Sequence, residues 1–256
     1  MPAVLVHGVP EIPAVWDSLR SRLRRSDVVA LALPGFGCPR PEGFGAGKDE
    51  YVDWVVAELE KLRHQGPIDL VGHDWGGAFV VRVVSLRPDL VQTWVTDAAG
   101  VGHESFEWHE FAKVWQTPGA GERFFARQLA EPVEARAGLF TQFGVAAGQA
   151  NSIAAALDDT MVGCILALYR SAVDVGREWG AAFRDISAPG LVVVPSEDPF
   201  LAPESARAAA QASGADLVEM TGLGHWWMLQ DPARGAAMLE DFWSATEPDA
   251  SAPAET

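Results

Sequence analysis

The chain has 256 residues, 48% of them hydrophobic, which is enough to bury one large core with an insertion. Its 35 acidic and 19 basic residues leave a net charge of −16 with no basic cluster that could track a phosphate backbone, so nucleic acid and anionic membranes are disfavoured as partners. Two cysteines, Cys38 and Cys164, lie far apart without metal-ligand spacing and read as free thiols in a reducing compartment, and six scattered histidines imply no metal site.

Short β-branched runs alternate with helical patterns, the mark of parallel βαβ units and an α/β fold. The first run, Ala3–Val6, follows directly on Met1-Pro2 with no basic segment before it, so a cytoplasmic location without a signal peptide is expected. A second run, Val28–Leu33, precedes a helix over Asp49–Arg63 whose Val52, Val55, Val56, Leu59 and Leu62 share one face. Then come Ile68–Val71, a helix-like stretch Gly76–Leu86, and Val91–Thr96. From about Val101 to Ser187 the alternation stops, and Ala-, Trp- and Phe-rich helical segments suggest a cap roofing the strand ends where ligands bind in open α/β sheets. The pattern resumes with Leu191–Val194, Asp216–Met220 and a terminal helix Pro232–Trp243. No apolar stretch approaches the roughly 20 residues that span a bilayer. The expected organisation is a core of residues 1–100 and 188–246, a cap of 101–187 and a disordered tail of 247–256.

Gly72-His73-Asp74-Trp75-Gly76 lies between a strand-like run and a helix-like run, as a nucleophile elbow requires, with aspartate at its centre. Two glycine-rich stretches look like cofactor loops and are not. Gly43 to Lys48 lacks the first glycine and the hydroxyl residue of a phosphate loop, and Gly35-Phe36-Gly37 lacks the third glycine of a dinucleotide fingerprint. No cofactor is implied.

Five motifs in chain order carry a resemblance: His7-Gly8-Val9-Pro10-Glu11, Gly35-Phe36-Gly37, Gly72 to Gly77, Ser196-Glu197-Asp198-Pro199, and Gly224-His225-Trp226. The chain resembles the epoxide hydrolase and haloalkane dehalogenase group of α/β-hydrolases over nearly its whole length. The resemblance implies a mostly parallel sheet flanked by helices, with an inserted helical cap and without the usual N-terminal hairpin. It also implies an order of nucleophile, acid and histidine that matches Asp74, Asp198 and His225.

The chemistry also follows from the residues. A carboxylate with an ordinary pKa of about 3.9 is ionised at neutral pH and needs no base to attack. Attack on an ester carbonyl would give a mixed anhydride, whereas attack on a saturated carbon gives an alkyl ester that water can cleave, so aspartate selects an epoxide or a carbon–halogen bond. His225 has the pKa range of a base that activates this water. Asp198 would hold its tautomer, with Asp97 as the alternative acid. The oxyanion donors expected are the backbone N–H groups of Trp75 and Val9.

An opening epoxide needs a proton donor, and Tyr169 in Leu168-Tyr169-Arg170 resembles the cap tyrosine of epoxide hydrolases. The usual second tyrosine is absent, and His109 or the Trp115 indole are candidates to replace it and to bind substrate. A halide would instead need N–H donors, for which the Trp75 indole and a cap tryptophan are available. Three readings result: an epoxide hydrolase acting through an aspartyl ester, a haloalkane-type dehalogenase using the same route, and a non-catalytic receptor for a small ligand. The partner expected is a small apolar epoxide or halide, and oligomeric state is not legible.

Overall fold

The structure, a computed structural model, describes residues 1–102, 106–180 and 186–246. The expected tail at 247–256 and parts of both cap boundaries lie outside the described residues. Six strands, β1 (Ala3–Val6), β2 (Val28–Leu31), β3 (Ile68–Gly72), β4 (Val91–Thr96), β5 (Gly190–Pro195) and β6 (Asp216–Met220), form one sheet in the order β2-β1-β3-β4-β5-β6. Every neighbouring pair is parallel. The second strand ends two residues earlier than the sequence suggests, because Leu33 turns its N–H to His7 Nε2 (3.2 Å).

The helices are α1 (Asp17–Arg20), α2 (Lys48–Leu62), α3 (Trp75–Leu86), α4 (Glu110–Gln116), α5 (Ala120–Ala130), α6 (Val133–Thr141), α7 (Ala147–Ala156), α8 (Asp159–Ser171), α9 (Val175–Trp179), α10 (Pro203–Ser213), α11 (Trp227–Gln230) and α12 (Pro232–Thr246). Parallel strands buried on both faces need cover on both, and the alternation along each strand divides the core accordingly. Val4, Val6, Leu70, Trp94, Val192 and Val194 pack with the apolar faces of α2 and α3. Ala3, Leu5, Val71, Val95, Leu191 and Val193 pack on the other side with Trp16, Leu19, Trp227, Leu239 and Trp243. Among the described residues no single helix is long and apolar enough to cross a membrane.

Helices α4 to α9 lie between β4 and β5, where the sequence predicts the cap. The loops at the carboxyl ends of five strands carry the candidate residues: Val9 after β1, Asp74 after β3, Asp97 after β4, Asp198 after β5 and His225 after β6. Such a rim is where open α/β sheets place their ligands.

Candidate active site

Asp74 sits at φ +49°, ψ −122°, outside the regions that non-glycine residues favour. Holding it there costs on the order of 1–3 kcal/mol, and the packing around the elbow must supply that. It can do so because the neighbours are glycines: a Cβ on Gly76 would lie 2.2 Å from the Val6 carbonyl oxygen, so only glycine lets α3 start against the end of β1. The strained turn places the Asp74 side chain at the carboxyl end of β3, between that strand and α3.

Val9 donates its backbone N–H to Asp74 Oδ1 at 2.9 Å, and the Trp75 backbone N–H also faces this carboxylate. Asp74 Oδ2 lies 3.9 Å from His225 Nε2. On its other side His225 donates from Nδ1 to Asp198 Oδ2 at 2.8 Å, while Asp198 Oδ1 accepts the backbone N–H groups of Phe200 and Leu201. Asp97 has different work. Its Oδ1 accepts the Asp74 backbone N–H (2.9 Å), and its Oδ2 pairs with His73 Nδ1 (2.5 Å) and the Trp227 indole (2.7 Å), so it steadies the elbow and does not reach His225.

Under the site lies a buried network that the sequence does not reveal. His73 bridges Asp97 on one nitrogen and Glu11 on the other, at 2.5 and 3.0 Å. Burial alone would strip its proton, but these two carboxylates outweigh burial and hold His73 protonated well above the ordinary histidine range. Burial likewise pushes Glu11 up, yet the His73 cation brings it down to about 2. Glu11 also accepts the Gly8 N–H and the Trp226 indole N–H, tying the loop after β1 to the loop after β6. Glu11, His73 and His225 gather donor atoms within 4.8 Å, a spacing that could suit a metal ion. With both His73 nitrogens protonated and Glu11 fully engaged, this cluster reads instead as a hydrogen-bond clamp.

The electrostatics of the pair above it are linked. Burial raises Asp74 to about 6, against the lowering pull of the nearby histidines. Burial lowers His225, but Asp198, with help from Asp74, more than reverses this and leaves it above its usual value. Asp198 is held low by His225 in spite of burial. An Asp74 converted to a neutral ester would stop favouring the imidazolium, so His225 would lose its proton more readily at the moment a base is required.

A cavity of about 360 Å³ opens onto Asp74 and His225 and is lined by His109, Trp115, Tyr169, Phe200 and apolar residues of α5, α6 and α7. Tyr169 on α8 is buried, and burial with the Asp74 charge raises its hydroxyl well above 10, so it stays a neutral O–H donor. The Trp75 indole lies beside this hydroxyl, tilted against Phe79 and Trp108 and edge-on to Tyr169. Trp75 and Trp115 both have buried indole N–H groups without a hydrogen-bond partner. His109 caps α4 by accepting the Ala112 backbone N–H on Nδ1 at 3.2 Å. A backbone N–H can only donate, so Nδ1 must be bare and the imidazole proton must sit on Nε2, and burial lowers this histidine to about 4, keeping it neutral.

The cavity thus gathers Asp74, His225, Val9, Tyr169, His109 and Trp115, with Asp198 and the Trp75 backbone behind them. The residues missed by sequence reasoning are Glu11 and His73. Both stand inside the quoted motifs, but nothing in the sequence showed that they would be buried and meet.

Comparison with known proteins agrees with this architecture. A curated relative, 2-hydroxymuconate semialdehyde hydrolase of Pseudomonas sp. (strain CF600), is 26% identical over 98% of this chain and 89% of its own length. Lipase LipV of Mycobacterium tuberculosis is 32% identical over 35% of this chain, a stretch that spans 34% of the lipase. Among solved structures, an epoxide hydrolase from Vigna radiata superposes with a TM-score of 0.77 at 18% identity, covering 95% of this chain and 91% of that one. A haloalkane dehalogenase from Bradyrhizobium elkani USDA94 gives 0.74 at 19% identity, with the same two coverages. The profile described as the Alpha/beta hydrolase family matches residues 3–238, and the chain belongs to that family.

Proposed function

We propose that this α/β-hydrolase opens epoxides to vicinal diols through a covalent ester on Asp74, with helices α4 to α9 serving as the cap over the site. The observation that carries this reading is the identity and setting of the elbow residue. A carboxylate, bound at Oδ1 by an oxyanion-type N–H and facing a histidine at Oδ2, stands where a hydroxyl would serve an ester hydrolase. Its attack on a carbonyl would give only an anhydride, which argues against carrying over the lipase or semialdehyde hydrolase activities named for the curated relatives.

In the first half-reaction Asp74 Oδ2 bonds to an epoxide carbon, the C–O bond breaks, and Tyr169 gives its proton to the departing oxygen. His109, neutral with its proton on Nε2, is the second donor to that oxygen in place of the missing tyrosine. In the second, His225 takes a proton from water, which attacks the Asp74 carbonyl carbon. The oxyanion is held by the Val9 and Trp75 N–H groups; as it collapses, the His225 imidazolium returns its proton to the departing oxygen, the diol leaves with the oxygen that Asp74 supplied, and the proton left on the regenerated Asp74 carboxyl passes back to the Tyr169 oxygen. Asp198 keeps His225 oriented.

The dehalogenase reading keeps one specific support, the two unpartnered indole N–H groups of Trp75 and Trp115, which are donors of the kind a halide needs. The test is incubation of the enzyme with styrene oxide and, separately, 1-bromohexane, measuring diol, bromide and intact protein mass, with His225→Gln as the trapping variant. Diol formation with an ester adduct on His225→Gln is the expected result. Bromide release without diol would move the assignment to the dehalogenase, and ligand-induced stabilisation with neither product would make the protein a receptor.

A further inference from the structure

The cavity wall away from the strand ends carries a charge that the proposed chemistry does not use. Arg136 on α6 is the one arginine or lysine among the residues lining the cavity. One of its nitrogens, Nη1, donates to the Leu157 carbonyl at the end of α7 (3.1 Å), which pins the guanidinium in place. Its Nε is buried without a partner, and no carboxylate pairs with it among the described residues. The amides of Gln128 and Gln142 line the same cavity.

A guanidinium keeps its proton at any physiological pH, so this wall is permanently cationic. The surroundings make that notable: the chain carries a net −16, and the ionised Asp74 adds a negative charge to the same cavity. An anionic ligand would be repelled from such a pocket unless a fixed cation compensated. A half-buried arginine held by one backbone carbonyl, with donors left over, supplies that cation, and its planar fork matches a carboxylate in two-point contact.

We propose that Arg136 is a specificity residue that receives a carboxylate on the substrate, so that the preferred electrophiles are amphiphilic acids with an apolar body. The assignment rests on the aspartyl-ester reading only for where the reactive carbon lies.

The primary test uses unreactive probes, so it does not depend on turnover. Calorimetric titration compares 4-phenylbutanoate with 4-phenylbutan-1-ol, which share an apolar body and differ in the charged end. In the wild-type enzyme the acid binds about tenfold or more tighter than the alcohol, and added salt erodes the preference. In Arg136→Gln the ratio of the two affinities falls by about tenfold, and Arg136→Lys retains part of it because charge survives while the fork does not. Equal binding of acid and alcohol by the wild type, or an Arg136→Gln variant that keeps the preference, overturns the proposal. Should Arg136→Gln fail to fold, Arg136→Lys and the wild-type salt dependence decide the matter, and a preference indifferent to both overturns it. Acid binding that depends on Arg136 in a protein that opens no epoxide would sink the epoxide reading and leave this one standing.

Discussion

Burial of Asp74, the proposed nucleophile, predicts a measurable acid limit on ester formation. Asp74 is raised to about 6 by its desolvated position, so at pH 7.5 it is about 97% ionised and at pH 5 only about 9%. If its anion attacks the substrate, the rate of ester formation falls roughly tenfold across that interval. The assay is rapid quench of a single turnover with styrene oxide, reading the ester by intact mass between pH 4.5 and 9. Because His225 pulls Asp74 down, replacing it with glutamine moves the acid limb of ester formation to higher pH in the trapping variant. Tyr169 adds no alkaline limb below pH 10, since burial and the Asp74 charge keep its hydroxyl protonated. A rate that stayed flat from pH 7.5 to pH 4.5 would refute the argument that desolvation governs Asp74. Absence of the ester at every pH would remove Asp74 from the role of nucleophile.

Three further outcomes follow from the geometry. Because burial raises Asp74 in the folded state, its charge opposes folding above the unfolded carboxylate range, so Asp74→Asn is more stable at pH 7.5 by about 1–3 kcal/mol, and the difference vanishes below pH 4; denaturant midpoints at the two pH values check this, and a less stable variant at pH 7.5 contradicts it. Glu11→Gln leaves the buried His73 cation with one carboxylate and costs about 3–5 kcal/mol in urea unfolding, whereas a cost under about 1 kcal/mol would mean His73 is not charged. Tyr169→Phe slows ester formation from an epoxide by about 10²–10⁴-fold in the quench assay while sparing hydrolysis of a preformed ester, and an undiminished first step would exclude Tyr169 as the proton donor.

The strands, the elbow and the two candidate acids were legible because each depends on local signals: β-branched runs, closely spaced glycines, and an acid following a strand. Element ends moved by one to three residues, as at β2, where a side chain intercepts the ladder. The choice between Asp97 and Asp198 stayed open in the sequence because both follow strands, and only the fold shows Asp97 turned toward the elbow backbone. The Glu11–His73–Asp97 clamp was invisible for a related reason. Its members are 62 and 24 residues apart, and nothing in periodicity says that two carboxylates will meet one imidazole. The ordinary carboxylate value assigned to Asp74 was likewise too low, since burial is a property of the finished fold.

His109 joins two matters that are usually separate. The ring nitrogen that closes the first turn of α4 stays bare, which leaves the proton on the opposite nitrogen of a residue that lines the cavity. Without that cap the proton would be free to sit on Nδ1, and Nε2 would turn from donor to acceptor. The winding of one short helix thereby fixes which nitrogen of His109 carries the proton, at a position remote in sequence from Asp74.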